Sequence, residues 1–379
     1  MSSELKKQLI EIGYSSLQKM LIPDKNLFCH KVEIDDKTGQ LKQVGISLRY
    51  TAMTLIGLAK AKKSGLLQEI PDSWINLKSV MTSLVGEMES IHNYGDLGLF
   101  LYASCVTDDQ WTGKILDKIR NSGEFCTKEK IYYTMEHAWL LAGLSKYAEI
   151  NGLDSTIKTL SERILRQILS VNYCSRSGLF YASNPIKRMN FITARRNNRV
   201  ASFAEQIYPL WALSIYYQVT KEEKILEIAN KLAKTITGLQ GNNGEWWWIY
   251  YVPSGRVSEK YPVYSVHQEA MAPMGFYEYE KASGISYSVN IDKGIQWMAR
   301  DSRLIDTKNG IIWRGIQRKN RTQKNYGFGM GFAGHLDTYI SAWSGGVSLN
   351  SVFDTLGSFE LVHESRPYHP GWLLNALLP

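Results

Sequence analysis

Three glycines, Gly178, Gly244 and Gly310, are spaced at equal intervals of 66 residues. Each follows small polar residues and precedes a short apolar or aromatic run, which reads GLFY, GEWWW and GIIW in turn. A glycine in this setting is typical of a tight turn with positive φ, and the run after it predicts a short strand-like piece. A fixed period of this length predicts stacked structural units that bury a shared core.

Segments with helical periodicity lie on both sides of these turns, and the pattern continues through the N-terminal half with shorter connections. Amphipathic helices are predicted near residues 2–20, 74–90, 109–122, 153–170, 221–238 and 286–300. More hydrophobic, aromatic-rich helices are predicted near residues 45–63, 93–106, 131–149, 199–218, 265–282 and 335–347. The two kinds alternate, and a helix that is apolar nearly all round belongs inside. We therefore predict an all-α fold, an (α/α)6 toroid of six helical hairpins with short β-like turns.

The composition gives no reason to divide the chain. Its 379 residues are 44% hydrophobic and 21% charged, and no linker-like or low-complexity stretch separates them, so we expect one domain over residues 1–379. The first segment lacks the unbroken apolar core of a signal peptide, and no run of about 18 apolar residues would span a bilayer. The four cysteines lie far apart without a C-x-x-C pair. We expect a cytoplasmic protein with reduced thiols and no integral membrane segment.

The net charge of +8 is partly clustered in residues 187–199 and 314–324. These stretches would attract an anion, although they would also serve as solvated loops. No recognition helix, zinc finger or aromatic RNA-binding motif accompanies them, so we expect no nucleic-acid partner. The G-x-G of GFGMGFAG (327–334) follows no strand-and-helix unit, and serine hydrolase and zinc protease motifs are absent from the sequence. We accordingly expect no cofactor and no metal.

The alternating pattern resembles the six-hairpin, glycosidase-like toroids over nearly the whole chain. It is similar, less closely, to the squalene-cyclase-like α-toroids, because Gln240, Gly244 and Trp246 match the Q-x3-G-x-W pattern of that group. The first resemblance implies an enzyme that acts on carbohydrate in a central funnel. The second implies a cyclase that acts on an isoprenoid.

The starts of the inner helices would form this funnel, and in this sequence they are rich in polar residues. Glycoside hydrolysis needs two carboxyl groups on either side of the scissile bond, and histidine transfers protons near neutral pH. Helix capping by the acids, and burial of the histidines as ordinary core residues, are the structural alternatives. The candidates for acid–base catalysis are Asp96, Glu136, Glu205, His267, Glu269, His335 and Asp337.

Aromatic residues on the turns offer flat surfaces for the apolar face of a sugar ring. Strand-like alternation would turn Trp247 away from Trp246 and Trp248, and packing in the core is the alternative for all three. The candidates for substrate binding are Arg49, Arg199, Trp246, Trp248, Tyr264, Trp313 and Arg366.

Several functions remain open at this level. The funnel suits a glycoside hydrolase, or a lyase or epimerase acting on an acidic saccharide, with a small molecule or an oligosaccharide as the partner. A terpene cyclase would hold a carbocation against the aromatic rings, but the sequence lacks D-x-D-D and D-D-x-x-D clusters. A toroid that binds saccharide without turnover is the third alternative. The sequence leaves the oligomeric state open.

Overall fold

The computed structural model describes residues 2–65, 74–121, 133–184, 199–301, 303–319 and 359–379, and these parts contain twelve α-helices. The outer helices are α1 (Ser3–Met20), α3 (Leu77–Gly86), α5 (Thr112–Asn121), α7 (Ser155–Gln167), α9 (Glu223–Gly238) and α11 (Ser288–Arg300). The inner helices, which alternate with them, are α2 (Leu48–Lys63), α4 (Tyr94–Thr107), α6 (Thr134–Asn151), α8 (Ala204–Thr220), α10 (Ala272–Ser283) and α12 (Tyr368–Leu377). The predicted (α/α)6 toroid is confirmed.

The two layers differ in burial as their sequences predict. In α9 the buried side chains recur at helical spacing along one face: Ile225, Ala229, Leu232, Ala233 and Ile236. In α4 every residue from 95 to 104 is buried. Apolar residues on one stripe place a helix at the surface, whereas apolar residues all round require neighbours on every side.

The inner ring closes through α12, which packs between α10 and α2 and against α1. Gly57 of α2 and Gly371 of α12 let the two backbones approach so closely that a Cβ on Gly57 would collide with the Gly371 carbonyl. Residues 335–347, predicted to form the sixth inner helix, lie outside the described residues. The sixth inner position belongs to α12, so this part of the prediction was wrong.

The three repeat glycines occupy equivalent turns between an outer helix and the next inner helix. Their φ angles are +80°, +106° and +58°, as predicted. A Cβ on Gly178 would strike Lys231 of α9, one on Gly244 would strike Lys293 of α11, and one on Gly310 would strike Lys19 of α1. Each turn therefore docks onto the following outer helix.

Two glutamines fix these turns to the inner layer. The Gln206 side chain accepts a hydrogen bond from the Phe180 amide (2.8 Å) and donates one to the Phe180 carbonyl (2.9 Å). The Gln268 side chain makes the same pair of bonds with the backbone of Trp246 (3.0 and 3.2 Å). Phe180 and Trp246 each stand two residues after a repeat glycine, so part of the polarity at the inner-helix starts is structural.

Short antiparallel strands lie in the connections that precede inner helices. One sheet contains β1 (Leu21–Ile22), β2 (Leu27–Ile34), β3 (Leu41–Ile46) and β12 (Glu364–Ser365); a second contains β4 (Val200–Ser202), β5 (Ile249–Tyr251) and β6 (Arg256–Glu259). A third contains β7 (Val263–Tyr264), β10 (Gly315–Arg318) and β11 (Phe359–Val362), and β8 (Ile305–Asp306) pairs with β9 (Ile311–Ile312). The sheets therefore surround the N-terminal ends of the inner helices.

Aromatic rings fill the axis of the ring. Trp139 of α6 lies against Tyr208 of α8 (ring centroids 5.2 Å apart), and Trp211 of α8 lies against Tyr102 of α4 (5.3 Å) and Trp372 of α12 (5.5 Å). Because these rings come from four inner helices and meet in the middle, they close the axis. We call these five residues the axial plug.

Below the axial plug is a cavity of about 1240 Å³, lined by the C-terminal ends of all six inner helices. Lys60, Lys63 and Lys146 lie there, where cations interact favourably with helix C-termini. The inner helices are therefore parallel, and their N-termini gather at the opposite end. In the described parts of the chain, no helix combines the length and apolarity needed to cross a membrane.

Candidate active site

The polar residues of interest lie at the end of the ring where the inner helices begin. Helix N-termini carry partial positive charge and unsatisfied N–H groups, so six of them favour negative charge at this end. Most of the residues selected from the sequence lie in the first turns here or in the adjoining strands. The structure brings them into three neighbouring groups.

His267 lies at the centre of the first group, in a π-helical turn (His267–Met271) that leads into α10. The pairing of β7 with β10 and the bond from the Ser265 amide to the Arg314 carbonyl (2.9 Å) fix the chain just before it. Its imidazole stacks on Trp248 (centroids 5.9 Å apart, 16° between planes) and meets Phe203 (4.8 Å) and the edge of Tyr264 (5.3 Å). The ring is 3% exposed.

Burial lowers the pKa of His267 to about 3, with smaller contributions in the same direction from Arg314 and His369. The imidazole is therefore neutral at physiological pH. Its Nδ1 is buried and has no hydrogen-bond partner among the described residues. A neutral imidazole of this kind can accept a proton.

Glu269 and His369 form a hydrogen-bonded pair between Glu269 Oε1 and His369 Nε2. Both side chains are buried, and the bond joins the start of α10 to the first turn of α12. Glu269 Oε2 has no hydrogen-bond partner within the described ranges. A buried carboxyl group with one unoccupied oxygen can still accept a hydrogen bond.

The second group, here called the cationic cluster, consists of Lys31, Arg314, Glu364 and Arg366. Glu364 Oε1 accepts hydrogen bonds from both Arg314 Nη1 and Arg366 (3.1 Å from Nε), and its Oε2 lies 3.4 Å from Lys31 Nζ. The pairing of β2 with β12 brings Lys31 to Glu364, and the Arg314 amide donates to the Glu364 carbonyl (2.8 Å). The three cations lower the pKa of Glu364 in opposition to burial, the largest single influence on it.

Aromatic side chains join the cationic cluster to the start of α2. Tyr50 accepts a hydrogen bond at its hydroxyl from Arg366 Nη1 (3.0 Å), stacks on His30 (5.3 Å) and meets Tyr368 (4.7 Å). Burial raises the pKa of Tyr368 to about 12. Arg314 lies over the Tyr264 ring, 4.6 Å from its centroid, so the cationic cluster and the His267 group share a wall.

Arg49 and Asp96 form the third group. Arg49 Nε and Nη2 donate to the two carboxylate oxygens of Asp96 (2.5 and 3.2 Å), and its guanidinium lies over Trp139 of the axial plug (4.9 Å). Glu136 accepts a hydrogen bond from Asn93 Nδ2 (2.6 Å). Burial raises the pKa of Asp96 and of Glu136, against the opposing effects of Arg49 and Asn93.

Glu205 makes the contacts of a helix cap. It accepts hydrogen bonds from the Ser202 amide (2.6 Å) and the Ser202 hydroxyl, just before α8. These bonds fix the chain where β4 turns into the helix. Its role as a catalytic acid stays a prediction, and its contacts favour the structural alternative.

Some of the aromatic candidates are packed in the core, and others lie beside His267. Trp246 is fully buried between Phe203 (5.5 Å) and Phe276 (5.4 Å), and Trp313 is 3% exposed against His363 (5.3 Å). Trp248 faces His267, whereas Trp247 turns away to Tyr261 (6.3 Å). The expected turning away of Trp247 is therefore seen, and Trp248 is the member of the triplet that reaches the site.

Three other candidates lie elsewhere. Arg199 donates to the Tyr251 hydroxyl (3.1 Å) beside β4 and β5. His335 and Asp337 lie outside the described residues, and their catalytic roles stay predictions. In the described parts of the chain no group of three or more His, Cys, Asp or Glu side chains is arranged to hold a metal ion.

Sequence reasoning did not assign His369, Arg314 or Lys31 to the site. Residues 364–369 were a visible polar group beside two prolines, and Arg314 opened a basic stretch. Neither signal indicates that His369 pairs with a glutamate 100 residues earlier. Only the closing of the ring by α12 creates that pair.

Comparison with solved structures finds the same architecture in several carbohydrate enzymes. The chain is similar to a sugar epimerase from a ruminal bacterium (TM-score 0.64, 11% identity, covering 99% of this chain and 98% of that one). It is similar to the cellobiose 2-epimerase of Bacillus thermoamylovorans (TM-score 0.60, 10% identity, covering 100% of this chain and 99% of that one). It is also similar to an inactive variant of an α-1,6-mannanase from a Salegentibacter species in complex with α-1,6-mannotetrose (TM-score 0.55, 9% identity, covering 99% of this chain and 97% of that one). No protein-family model and no curated protein matches the sequence. The shared feature is the six-hairpin (α/α)6 toroid.

Proposed function

We propose that this protein is an enzyme that moves a proton at a carbon atom of a saccharide, next to a carbonyl or carboxyl group, as in epimerisation or elimination. The observation that carries the proposal is His267, a neutral imidazole held among three aromatic rings beside the Arg314 guanidinium. Such an arrangement joins a base to a cation that stabilises developing negative charge.

The proposed step begins with transfer of a proton from carbon to His267. The electron pair left behind delocalises onto the neighbouring carbonyl oxygen, which arginine N–H groups stabilise. His369 is near enough to lower the pKa of His267, and Glu269 holds its ring in place. Return of a proton from this second histidine would complete an epimerisation.

The aromatic residues serve substrate binding in this proposal. Trp248 and Tyr264 offer faces and edges beside His267, and an aromatic ring packs well against the apolar face of a sugar. Trp246 and Trp313 are assigned to the core because they are buried. Arg49 would position Asp96 near the Trp139 face.

Hydrolysis has less support from the described residues. A glycosidase needs one carboxyl group free to protonate the leaving oxygen and another free to act on water or carbon. Asp96, Glu136, Glu205 and Glu269 each already bond a neighbouring side chain. Two of the solved structures with the same fold are described as epimerases, which agrees with proton transfer.

The proposal includes several coarser expectations from the sequence. We propose that residues 1–379 act as one domain in the cytoplasm, with a saccharide and no nucleic acid as the partner. The alternation of α1 to α12 around one ring supports the first point. Fractionation of cells that express the protein would test its location.

The experiment that tests the proposal is solvent exchange. The full chain is incubated in D2O with a panel of neutral and acidic oligosaccharides, and mass spectrometry and NMR locate any deuterium bound to carbon. Incorporation next to a carbonyl or carboxyl group supports the proposal, as does an unsaturated sugar product. Cleavage without either change would favour hydrolysis, and new hydrocarbons or alcohols from a parallel prenyl diphosphate panel would favour a terpene cyclase. Binding of a saccharide without any reaction would favour the alternative of a saccharide-binding protein without turnover.

A further inference from the structure

We infer that the substrate is a uronate saccharide, whose carboxylate binds to Arg314 and Arg366 of the cationic cluster. This inference rests on the proposed function, because it names the substrate of the same site. It also specifies the reacting carbon, which is C5, the carbon bonded to the carboxylate.

The cationic cluster contains more positive than negative charge. Lys31, Arg314 and Arg366 carry three positive charges, whereas Glu364 and Glu33, which pairs with Lys31 at 2.5 Å, carry two negative charges. Among the described residues of this group one positive charge is left over, and a monoanion would neutralise it. The six inner-helix N-termini at this end add partial positive charge of the same sign.

Arg314 has an unused hydrogen-bond donor within the described residues. A guanidinium has five N–H donors in a planar fork that matches a carboxylate. Arg314 Nε is buried without a hydrogen-bond partner among the described residues. The Arg314 and Arg366 side chains are 22% and 20% exposed, so both remain within reach of a ligand.

The cationic cluster also influences His267, the proposed base. After burial, the next influence that lowers the pKa of His267 is Arg314, and the next that lowers the pKa of His30 is Arg366. Both histidines therefore feel the positive field of the cationic cluster. A bound carboxylate would offset this field and raise the pKa of His267 relative to the free enzyme, whereas a neutral sugar would not.

The reaction balances without any further reagent. The C5–H bond breaks, the proton passes to His267, and the electron pair delocalises into the carboxyl group held by the arginines. Return of a proton from His369 to the opposite face of C5 gives the 5-epimer, and proton exchange with water then restores both histidines. Departure of the C4 substituent with its bonding electrons, its oxygen taking a proton from His369, gives instead a C4=C5 double bond.

The first experiment uses matched substrates. Oligosaccharides that contain glucuronate, galacturonate or mannuronate are compared in D2O with the same oligosaccharides after chemical reduction of each carboxyl group to an alcohol. We expect deuterium at C5, or an unsaturated uronate, with at least one acidic member and no reaction of its reduced counterpart. Exchange confined to neutral sugars, at the carbon next to the reducing-end carbonyl, would overturn the inference and leave the proposed function standing. If neither the acidic nor the neutral oligosaccharides show exchange or an unsaturated product, both the inference and the proposed function are wrong.

The second experiment changes the arginine. Arg366→Gln should lower kcat/KM for the uronate by about 100-fold, since a charge-assisted pair is lost, and Arg366→Lys should recover part of it because the charge remains. Arg303→Gln is the matched control, because Arg303 lies at the surface and pairs with Asp301. Unchanged turnover in a folded Arg366→Gln variant would contradict the inference.

Discussion

The His267 imidazole shows how burial, more than any other influence, sets the charge of a side chain. Three aromatic rings surround it and no described carboxylate compensates for the lost water, so its pKa falls to about 3. A charged imidazolium would be costly here. The residue is therefore available as a base at every ordinary pH.

His267→Gln should lower turnover by about 10²- to 10⁴-fold while the protein stays folded, because a positioned base contributes that much to the rate. Deuterium exchange from solvent into the substrate measures the loss. His363→Gln is the control, since that exposed ring contacts Trp313 outside the three groups. Equal activity in the two variants would exclude His267 as the base.

The pH dependence of kcat/KM gives an independent check on the free enzyme. Because the pKa of His267 is about 3, its protonation should not reduce kcat/KM anywhere above about pH 4. An acid limb near pH 6.5 that disappears in His267→Gln would contradict this assignment.

Two tryptophans only two residues apart should respond differently to truncation. Trp246→Ala removes a fully buried ring, which should lower the free energy of unfolding by about 3–5 kcal/mol. Trp248→Ala removes a ring beside His267 and should raise KM for the saccharide. Urea denaturation and steady-state kinetics on both variants measure the difference. A raised KM with unchanged stability for Trp246→Ala would assign that ring to the substrate.

At the scale of the elements, the turns that contain the three repeat glycines follow most directly from the sequence. Gly244 combines φ of +106° with a position against the Lys293 carbonyl of α11. A side chain there meets two obstacles, a strained backbone and a collision. The equal spacing in the sequence therefore reflects equal docking of turns onto outer helices.

Gly244→Ala should destabilise the protein by at least about 2 kcal/mol, from strain and overpacking together. Gly39→Ala is the matched control, since Gly39 has φ of +67° and a Cβ added there would meet no atom within 4 Å. It should cost only the backbone strain, about 1 kcal/mol. Thermal or urea unfolding of the two variants measures what the collision with α11 adds to the backbone strain. An equal loss in the free energy of unfolding for both variants would mean that this collision contributes nothing.

Helical periodicity was sufficient to predict eleven of the twelve helices in the described parts of the chain, because their burial follows their apolar residues. It failed for α12. Residues 367–372, where this helix begins, read PYHPGW, and proline and glycine have low helix propensity. Packing of Trp372, Leu373 and Leu374 into the ring outweighs that local preference. The Glu269–His369 pair was missed for the same reason, since it depends on a contact between distant segments.

At the scale of the whole molecule, buried neutral histidines couple folding to pH. His137 and His267 have pKa values of about 4 and about 3 in the folded state, mainly because of burial, against 6.5 for a free histidine. The unfolded chain therefore binds these protons first as the pH falls. Below pH 6.5 acidification favours the unfolded state until the folded pKa values are reached.

The free energy of unfolding should fall by up to about 1.4 kcal/mol per pH unit for each of these histidines between pH 6.5 and 4. Urea denaturation at a series of pH values measures the slope. His267→Gln removes one of these two histidines, so it should reduce the slope by up to about 1.4 kcal/mol per pH unit. A stability that rises on acidification through this range, or an unchanged slope in the variant, would contradict the burial of neutral imidazole.

The axial plug decides how a long substrate can approach the ring. Tyr102, Trp139, Tyr208, Trp211 and Trp372 meet across the middle, so the two ends of the ring do not communicate through it. Under the proposed function, a polysaccharide would not be threaded past these five rings, and product would leave by the opening through which substrate entered. Each turnover would then end in release at that same opening, so we expect no processive movement along a polymer threaded through the ring.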